Sequence, residues 1–424
     1  MFDRRRILQA SLAATALSVA GVRVSFASPA TDKRLVVVIL RGALDGLTAV
    51  PPVGDPDYAS VRGKLAIARG DAHPLDATFA LHPTLATMHT MWSAKELAVF
   101  HCIASPYRDR SHFDAQAVLE TGGTSPHGHN DGWLNRALPA AGLDDGTRAL
   151  AVADTTPLIL LGKARTTSWM PATMPSVDED FLSRVRALYA HDPQLGNALG
   201  EALKTEAAMQ GTMSSSAPPA APMQTQSGMD ADPLADPNMN GDGKPKPQYA
   251  NAKASLALLG AGAGKLLASP DGPRVAVLDF SGWDTHVGEG AADGILARRL
   301  AALDAALAAL KHSLGPAWKD TAVVMATEFG RTVAPNGAGG TDHGTGTVAF
   351  LMGGTVAGGK VHAQWDGLKV GSLYQARDLP PRTDVRALFK GALADHLRLP
   401  RTAIEGTVFP DSGTVAPMSG LFTA

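Results

Sequence analysis

Short, almost wholly apolar runs alternate along this chain with longer alanine-rich stretches, and this alternation constrains the fold most. The run Leu35–Leu40 carries no polar side chain, as expected of a strand buried on both faces of a sheet. The clearest alanine-rich stretch, Ala291–Leu314, has leucine and isoleucine at helical spacing. The other predicted strands are Leu97–Ile103, Arg274–Phe280, Thr321–Ala326 and Thr347–Met352. The sequence therefore predicts an α/β fold with a mostly parallel sheet flanked by helices on both faces.

A segment of different composition interrupts this alternation at about 211–248. It is rich in Ser, Pro, Met, Gly and Asp and contains SSSAPPAAP and DPLADPNMNGDGKPKP. Because such a segment buries too little apolar surface to fold alone, we expect a disordered insertion between helices at 193–209 and 250–267. The stretch DPNMNGDG lacks the regular acidic spacing and the terminal Glu of a calcium loop. The insertion is expected to divide the sequence of one domain.

The N-terminus has the features of an export signal. Arg4-Arg5 precedes RILQ, an uncharged run follows at 10–20, and Ser25-Phe26-Ala27 offers a small-x-small cleavage site. This pattern resembles the bacterial twin-arginine signal. We therefore predict a twin-arginine signal peptide at 1–27, export by the twin-arginine translocase to the periplasm or beyond, and a single domain at 28–424. The apolar run is too short for a permanent membrane anchor; an uncleaved, anchoring signal is the alternative.

Charge and cysteine content argue against a nucleic-acid-binding protein and against a disulfide-stabilised domain. The formal net charge is −2 and no basic stripe is present, so a nucleic-acid partner is not expected. The single cysteine, Cys102, excludes an intramolecular disulfide framework, although the predicted destination is oxidising. The stability of the chain must therefore come from a large apolar core.

Polar residues with catalytic or metal-binding chemistry lie at the ends of the predicted strands, where open parallel sheets bind ligands. In chain order they are Asp45, then Arg110, Ser111 and His112, then Asp284 and His286, then Glu328 and Arg331, and finally Asp342 and His343. Several carboxylates so close together repel one another unless a cation lies among them. Mixed carboxylate and imidazole ligands suit zinc, manganese or iron, and an all-carboxylate subsite suits magnesium or calcium.

Each of these residues also has a purely structural explanation. Asp284 and His286 can cap a helix and satisfy a buried backbone group. Glu328 can pair with Arg331 near a helix start, and Ser111 can be the N-cap of the helix that follows it. Their coincidence at the strand ends favours a metal site over these separate explanations.

The motifs LRGALDG, RSHFDA, GWDTH, EFGRT and TDHGTG resemble an exported bacterial family known as domain of unknown function 1501. The resemblance extends over essentially the whole chain after the signal. That family is grouped with the alkaline phosphatase-like superfamily, which includes phosphatases, sulfatases and metal-dependent phosphoglycerate mutases. The resemblance implies an alkaline phosphatase-like three-layer sandwich with a metal-dependent active site.

The superfamily pattern implies roles for individual residues. The implied ligands of one or two divalent ions (zinc, manganese, magnesium or calcium) are Asp45, Asp284, His286, Glu328, Asp342 and His343. Ser111 is the implied nucleophile. His112 and Arg110 have no counterpart in the pattern; we predict a catalytic role for His112 and substrate binding by Arg110 and Arg331. Phe329 stands where the superfamily has a histidine ligand, so that one metal is absent or held differently, with Asp342 as a candidate replacement.

Together these features predict an exported metal-dependent hydrolase of phosphate or sulfate esters with a serine nucleophile and a small anionic ester as substrate. The alternative is a non-catalytic periplasmic binding or assembly protein that keeps the fold. Phe329 favours the second hypothesis, because a lost metal ligand weakens the case for catalysis.

Overall fold

The structure is a computed structural model that describes residues 31–146, 148–153, 155–170, 189, 196, 199–200 and 247–423, with the backbone alone at 247–252. Its strands are β1 (Arg34–Arg41), β2 (His73–Pro74), β3 (Ala80–Leu81), β4 (Leu97–Ala104), β5 (Ala149–Val152), β6 (Thr167–Ser168), β7 (Val275–Ser281), β8 (Thr321–Ala326), β9 (Thr347–Gly353), β10 (Lys360–His362) and β11 (Thr383–Asp384). Strands β2 and β3 form a separate antiparallel pair. The remaining strands form one sheet.

The helices lie between these strands. They are α1 (Gly46–Ala49), α2 (Tyr58–Arg62), α3 (Ala86–Ser93), α4 (His112–Thr121), α5 (Trp133–Ala140), α6 (Pro247–Ala268), α7 (Ile295–Leu314), α8 (Val385–Gly391) and α9 (Arg401–Ala403). Short 3₁₀ segments span Gly63–Leu65, Leu158–Leu160, Gly315–Asp320 and Val370–Ser372, and π-helical turns span Ala392–His396 and Ile404–Val408. None of the helices in the described part of the chain is long and apolar enough to cross a bilayer.

The strand order in the main sheet is β10-β4-β9-β8-β1-β7-β5-β6, and β11 pairs with β4. Strand β1 lies between β7 and β8 and is parallel to both. Strand β9 is antiparallel to its neighbours β4 and β8. The carboxyl ends of β1, β4, β7 and β8 therefore meet the amino end of β9 at one edge of the sheet.

Two apolar cores lie on opposite faces of this sheet, because successive side chains of a strand point to opposite sides. Val36 and Val38 of β1 pack into a core with residues of α3, α6 and α7. Leu35 and Val37 pack into a second core with residues of α4, α5 and α8. Both faces of β1 are therefore buried, which explains why its sequence is a continuous apolar run. The predicted sandwich of helix, sheet and helix layers is confirmed.

The predicted elements agree closely with the observed ones. Each of the five predicted strands matches an observed strand to within one or two residues at its ends. The helix predicted at 250–267 is α6, and the one predicted from Ala291 begins later, at Ile295. The sequence did not predict the short strands β2, β3, β5, β6, β10 and β11. The signal at 1–27, nearly all of the helix at 193–209 and nearly all of the insertion at 211–248 lie outside the described residues.

Candidate metal centre

Four residues from three different segments of the chain meet at the sheet edge defined above. Asp284 and His286 follow β7, His112 is the first residue of α4 after β4, and His343 precedes β9. His112, Asp284 and His343 each offer one ligand atom, and these three atoms all lie within 4.8 Å of one another. We call these four residues, His286 included, the histidine–aspartate cluster.

The imidazole Nε2 atoms of the cluster converge. The Nε2 atoms of His112 and His343 are 2.9 Å apart, and those of His286 and His343 are 3.0 Å apart. The Asp284 Oδ1 atom lies 3.0 Å from the His286 Nε2 and 3.3 Å from the His343 Nε2. The Asp284 Oδ2 atom lies 3.4 Å from the His112 Nε2. The His343 Nε2 atom and the Asp284 carboxylate thus each lie against both of the other two imidazoles.

The second nitrogen of each imidazole has an oxygen partner that fixes the ring. His112 Nδ1 lies 2.8 Å from the Glu328 carboxylate, and His343 Nδ1 lies 3.0 Å from the Arg110 carbonyl oxygen. His286 Nδ1 lies 3.3 Å from an Asp342 oxygen. Because these oxygens only accept, the proton of each neutral ring belongs on Nδ1, and the Nε2 lone pairs point into the cluster. This is how metal-binding histidines are usually oriented by outer partners.

Such converging lone pairs require a positive charge between them. Two nitrogens bound to one tetrahedral zinc lie about 3.3 Å apart, given zinc–nitrogen distances of about 2.05 Å. The separations of 2.9 and 3.0 Å between the Nε2 atoms are close to this value. A proton satisfies the same need: although burial lowers the pKa of His112, the Asp284 and Glu328 carboxylates raise it to about 9. The donor set therefore suits either an imidazolium or a divalent metal with mixed imidazole and carboxylate ligands.

The carboxylates at this edge are held in their ionised form. Burial alone raises the pKa of Asp284, but its contacts with His112, His343 and Arg331 hold that pKa far below its ordinary value. Glu328 is fully buried, and hydrogen bonds from His112, Gln116 and the Gly42 backbone keep its pKa low despite that burial. Both groups can therefore act as anions at neutral pH.

Glu328 lies behind His112 in the described structure. Its Oε1 atom accepts from the His112 Nδ1, the Gln116 Nε2 and the Gly42 N–H, and its Oε2 accepts from the Thr327 hydroxyl. With these oxygens engaged, Glu328 orients a cluster residue through its ring. The sequence predicted it as a direct ligand, or as a partner of Arg331, and the structure gives it a contact with His112 instead.

Arg331, predicted to bind substrate, is directed at Asp284. Its guanidinium is almost fully buried, and Nη1 lies 2.5 Å from the Asp284 Oδ1. Its Nε donates to the Thr341 hydroxyl over 3.0 Å, and its Nη2 donates to the Thr341 carbonyl oxygen. Arg331 thus neutralises and fixes Asp284 from beneath the cluster.

Asp45 lies in a separate buried network. Its side chain caps α1 through the Leu47 N–H, accepts from the Thr48 hydroxyl and forms an ion pair with the Arg62 guanidinium. The cation that the sequence analysis expected beside this carboxylate is therefore a guanidinium. Burial raises the pKa of Asp45, but Arg62 holds it below its ordinary value, whereas burial and Asp45 together raise the pKa of the neighbouring Glu289 to about 8.

Arg110 and Ser111 immediately precede the cluster residue His112. The Arg110 side chain donates from Nη2 to the buried Asp378 over 2.8 Å, and its carbonyl oxygen holds His343. Its backbone is left-handed, with φ of 57°. Ser111 is the N-cap of α4 but makes no capping hydrogen bond through its hydroxyl. The structure therefore agrees with the N-cap position of Ser111 and places its hydroxyl beside the Tyr107 phenol.

Phe329 packs beside the cluster as an apolar wall. Its ring centroid lies 4.8 Å from that of His112 and 5.1 Å from that of His343. Asp342 is more than half exposed and lies outside the convergence of Nε2 atoms, where it accepts from His286. Phe329 supports two imidazole rings at the position where the superfamily pattern has a ligand.

Sequence reasoning missed two parts of this arrangement. His112 was predicted as a catalytic residue, but its Nε2 lies among the candidate ligand atoms. The sequence around His112 gave no signal of a ligand role, since His343, which it contacts, lies 231 positions later in the chain. Glu289, a buried acid only five positions after Asp284, was also passed over, although a carboxylate so close to GWDTH was a visible signal.

Comparison with solved structures gives distant likenesses. The phosphonate monoester hydrolase of Agrobacterium radiobacter is 13% identical, with a TM-score of 0.37 over 87% of this chain and 74% of that chain. Ps i-CgsB, solved in complex with k-i-k-neocarrahexaose, is 12% identical, with a TM-score of 0.36 over 88% of this chain and 75% of that chain. No curated protein matches the chain in sequence.

The family comparison agrees with the motifs on which the site is built. The model described as "Protein of unknown function (DUF1501)" matches residues 32–408, which include every residue of the histidine–aspartate cluster. The chain therefore belongs to the DUF1501 family.

Proposed function

We propose that this protein is an exported metal-dependent hydrolase of phosphate or sulfate esters. The observation that carries the proposal is the close approach of the His112 and His343 Nε2 atoms and the Asp284 carboxylate, with His286 in contact with His343 and Asp284, and with the opposite nitrogen of each ring held by an oxygen. The twin-arginine pattern at the N-terminus supports a periplasmic or extracellular location. The motif resemblance to the alkaline phosphatase-like superfamily supports the reaction class.

The proposed ligands are His112, Asp284, His286 and His343, which suit zinc or manganese better than magnesium or calcium. A divalent ion bound there would supply Lewis-acid stabilisation of charge on a transferring phosphoryl or sulfuryl group. Glu328 and Arg331 would orient His112 and Asp284 toward it. The proposal thus involves one metal in this cluster, and Arg62 takes the cationic position beside Asp45.

An anionic substrate group would bind beside the start of α4. The first-turn N–H groups of a helix have no partners within the helix, and its positive end favours anions. Ser111 lies at this end and its hydroxyl caps nothing. In the proposed reaction, Ser111 Oγ attacks phosphorus or sulfur, the ester oxygen leaves as an alcohol, and water then cleaves the serine ester.

Replacement of the proposed nucleophile tests the reaction. We expect Ser111→Ala to lower the turnover of aryl phosphate or aryl sulfate by at least about 1000-fold, while metal content by elemental analysis and thermal stability stay unchanged. Ser60→Ala, at an exposed serine in α2, is the matched control and retains activity. Full activity in the Ser111 variant overturns the nucleophile assignment.

A non-catalytic binding protein is the second candidate, and one observation favours it. Asp284 already has a cationic partner, since the buried Arg331 lies 2.5 Å from it, and a protonated His112 would complete a charge-balanced network without metal. Elemental analysis of the exported protein separates the two functions. About one equivalent of metal, with cleavage of an aryl ester, supports the hydrolase, and absence of both supports the binding protein.

A further inference from the structure

A fully buried carboxyl group joins the two loops that carry most of the cluster. The Oε2 atom of Glu289 accepts from the Thr285 hydroxyl over 2.9 Å and from the Thr341 hydroxyl over 2.8 Å. Its Oε1 atom lies 3.1 Å from the Thr48 Oγ, which donates its proton to Asp45, and 3.8 Å from the Arg62 guanidinium. All four partners are buried. Glu289 therefore has no direct contact with solvent and acts only through its neighbours.

Both threonines that Glu289 holds lie within two positions of a cluster residue. Thr285 lies between Asp284 and His286, and Thr341 comes two positions before His343. Thr341 also accepts from Arg331 Nε, whose Nη1 donates to Asp284. A continuous chain of hydrogen bonds thus runs from Glu289 through Thr341 and Arg331 to Asp284.

The backbones of these two loops are in contact as well. The Thr341 N–H donates to the Thr285 carbonyl oxygen over 3.2 Å, and the Glu289 N–H donates to the Gly339 carbonyl oxygen over 3.0 Å. These bonds fix how the loops pair, and the shared carboxyl oxygen fixes the side on which each threonine lies. Because buried hydrogen bonds act in a low dielectric, their loss would change the positions of the cluster residues that these loops carry.

We propose that Glu289 is a positioning residue that sets the separation between the Asp284–His286 loop and the Asp342–His343 loop, and thereby the metal affinity of the cluster. This inference rests on the proposed metal site. Its geometric basis is that one oxygen atom ties both loops while Arg62 and Thr48 anchor the other oxygen.

The variants separate positioning from general stability. Glu289→Ala removes all three hydroxyl contacts, whereas Glu289→Gln keeps an oxygen for Thr285 and Thr341 and turns its amide toward Thr48. Thr341→Val removes one hydroxyl with little change in volume and serves if Glu289→Ala does not fold. The matched control is Asp304→Ala, because Asp304 is also a buried carboxylate and holds the Thr87 and Met88 N–H groups at α3.

Two readouts are measured on the full chain. Zinc(II) is titrated into metal-free protein by calorimetry, and amide hydrogen exchange is followed at 282–290 and 336–346 in the absence of metal. We expect about 10- to 100-fold weaker zinc binding for Glu289→Ala, a smaller loss for Thr341→Val, and near-normal binding for Glu289→Gln and Asp304→Ala. Exchange at both segments should rise in Glu289→Ala but not in Asp304→Ala.

The outcomes distinguish the inference from the proposed function. If the parent protein binds no zinc but Glu289→Ala still loosens both segments, the metal site fails and the positioning role stands. If zinc binds the parent protein and the Glu289 and Thr341 variants equally, with unchanged exchange, the positioning role is wrong and the metal site stands. Equal losses in Asp304→Ala also overturn the inference, because they trace the effect to stability alone.

Discussion

At the scale of single residues, arginine side chains explain why carboxylates gather at this edge of the sheet. Arg62 pairs with Asp45, Arg331 with Asp284, and Arg41 with Asp279 over 2.6 Å. Each guanidinium offsets the repulsion from which a metal was predicted. The number of carboxylates therefore does not by itself support a metal. The support comes from the close approach of imidazole nitrogens beside Asp284.

Substitution of Phe329 tests whether this side chain packs against the cluster at the position where the superfamily pattern has a histidine ligand. Its side chain is buried against the rings of His112 and His343. We expect Phe329→Ala to lower the free energy of unfolding by about 3 kcal/mol or more, through the cavity it leaves, and to weaken metal binding by loosening two rings. Urea denaturation and zinc titration measure the two effects.

The control for this change is Phe329→Leu, which keeps most of the apolar volume and should keep most of the stability. An alanine variant as stable as the parent protein would contradict a packing role. Such a result would also leave the departure from the superfamily pattern without a structural reason.

The positions of the candidate residues could be predicted, but their roles could not. Asp284, His286 and His343 were named from motifs at strand ends, and the structure brings all three together. The partners of Asp45 and Glu328 are set by contacts across the chain, since Glu328 and His112 are 216 residues apart. Such a contact cannot be predicted from the residues next to either partner in the sequence.

At the scale of elements, helix α4 connects the cluster to the apolar core. It begins with His112 at the sheet edge, and its buried Val118 and Leu119 lie toward its other end. The helix ends at Gly122, whose φ of 69° is left-handed, a conformation that glycine adopts without strain. The orientation of the His112 ring therefore depends on how well the far end of this helix packs.

A comparison of two glycines with left-handed φ tests this dependence. A Cβ atom at Gly122 would lie 2.6 Å from the buried Phe409 ring, whereas one at the exposed Gly420, where φ is 70°, would meet nothing within 4 Å. Both have positive φ, so Gly420→Ala is expected to cost about 1 kcal/mol and Gly122→Ala at least about 2 kcal/mol. Urea denaturation measures both, and equal costs would show that the core at Phe409 accommodates the methyl group.

At the scale of the whole molecule, stability depends on burying nearly every strand of the sheet between two cores. Some polar groups are buried along with the apolar ones. His101 in β4 accepts from the Cys102 N–H over 3.0 Å, and His396 donates to the Arg34 carbonyl oxygen over 2.9 Å. Burial lowers the pKa of each imidazole to about 4. Both rings are therefore neutral in the fold over most of the accessible pH range.

These two histidines predict acid sensitivity. Since an unfolded histidine has a pKa of about 6.5, their contribution is fully present above about pH 6.5 and is lost progressively down to about pH 4. Each can contribute about 3 kcal/mol to this loss. The measurement is the urea midpoint of metal-free protein between pH 8 and pH 4.5.

The control for the pH series is His396→Gln, which keeps a hydrogen-bond donor for the Arg34 carbonyl oxygen but does not titrate. It should flatten the decline in stability between pH 6.5 and pH 4.5. A decline as steep as in the parent protein would show that other groups cause the acid sensitivity.

The sequence by itself determined the strands, the main helices and the edge of the sheet at which the polar residues collect. Apolar runs and helical spacing are local properties, and parallel strands bring their carboxyl ends to one edge by geometry alone. Only the tertiary structure decided the antiparallel direction of β9, the pairing of Asp45 with Arg62 and the place of His112 among the candidate ligands. These features depend on contacts between segments far apart in the chain. The cation beside each carboxylate is the one that the packing of these segments brings within reach.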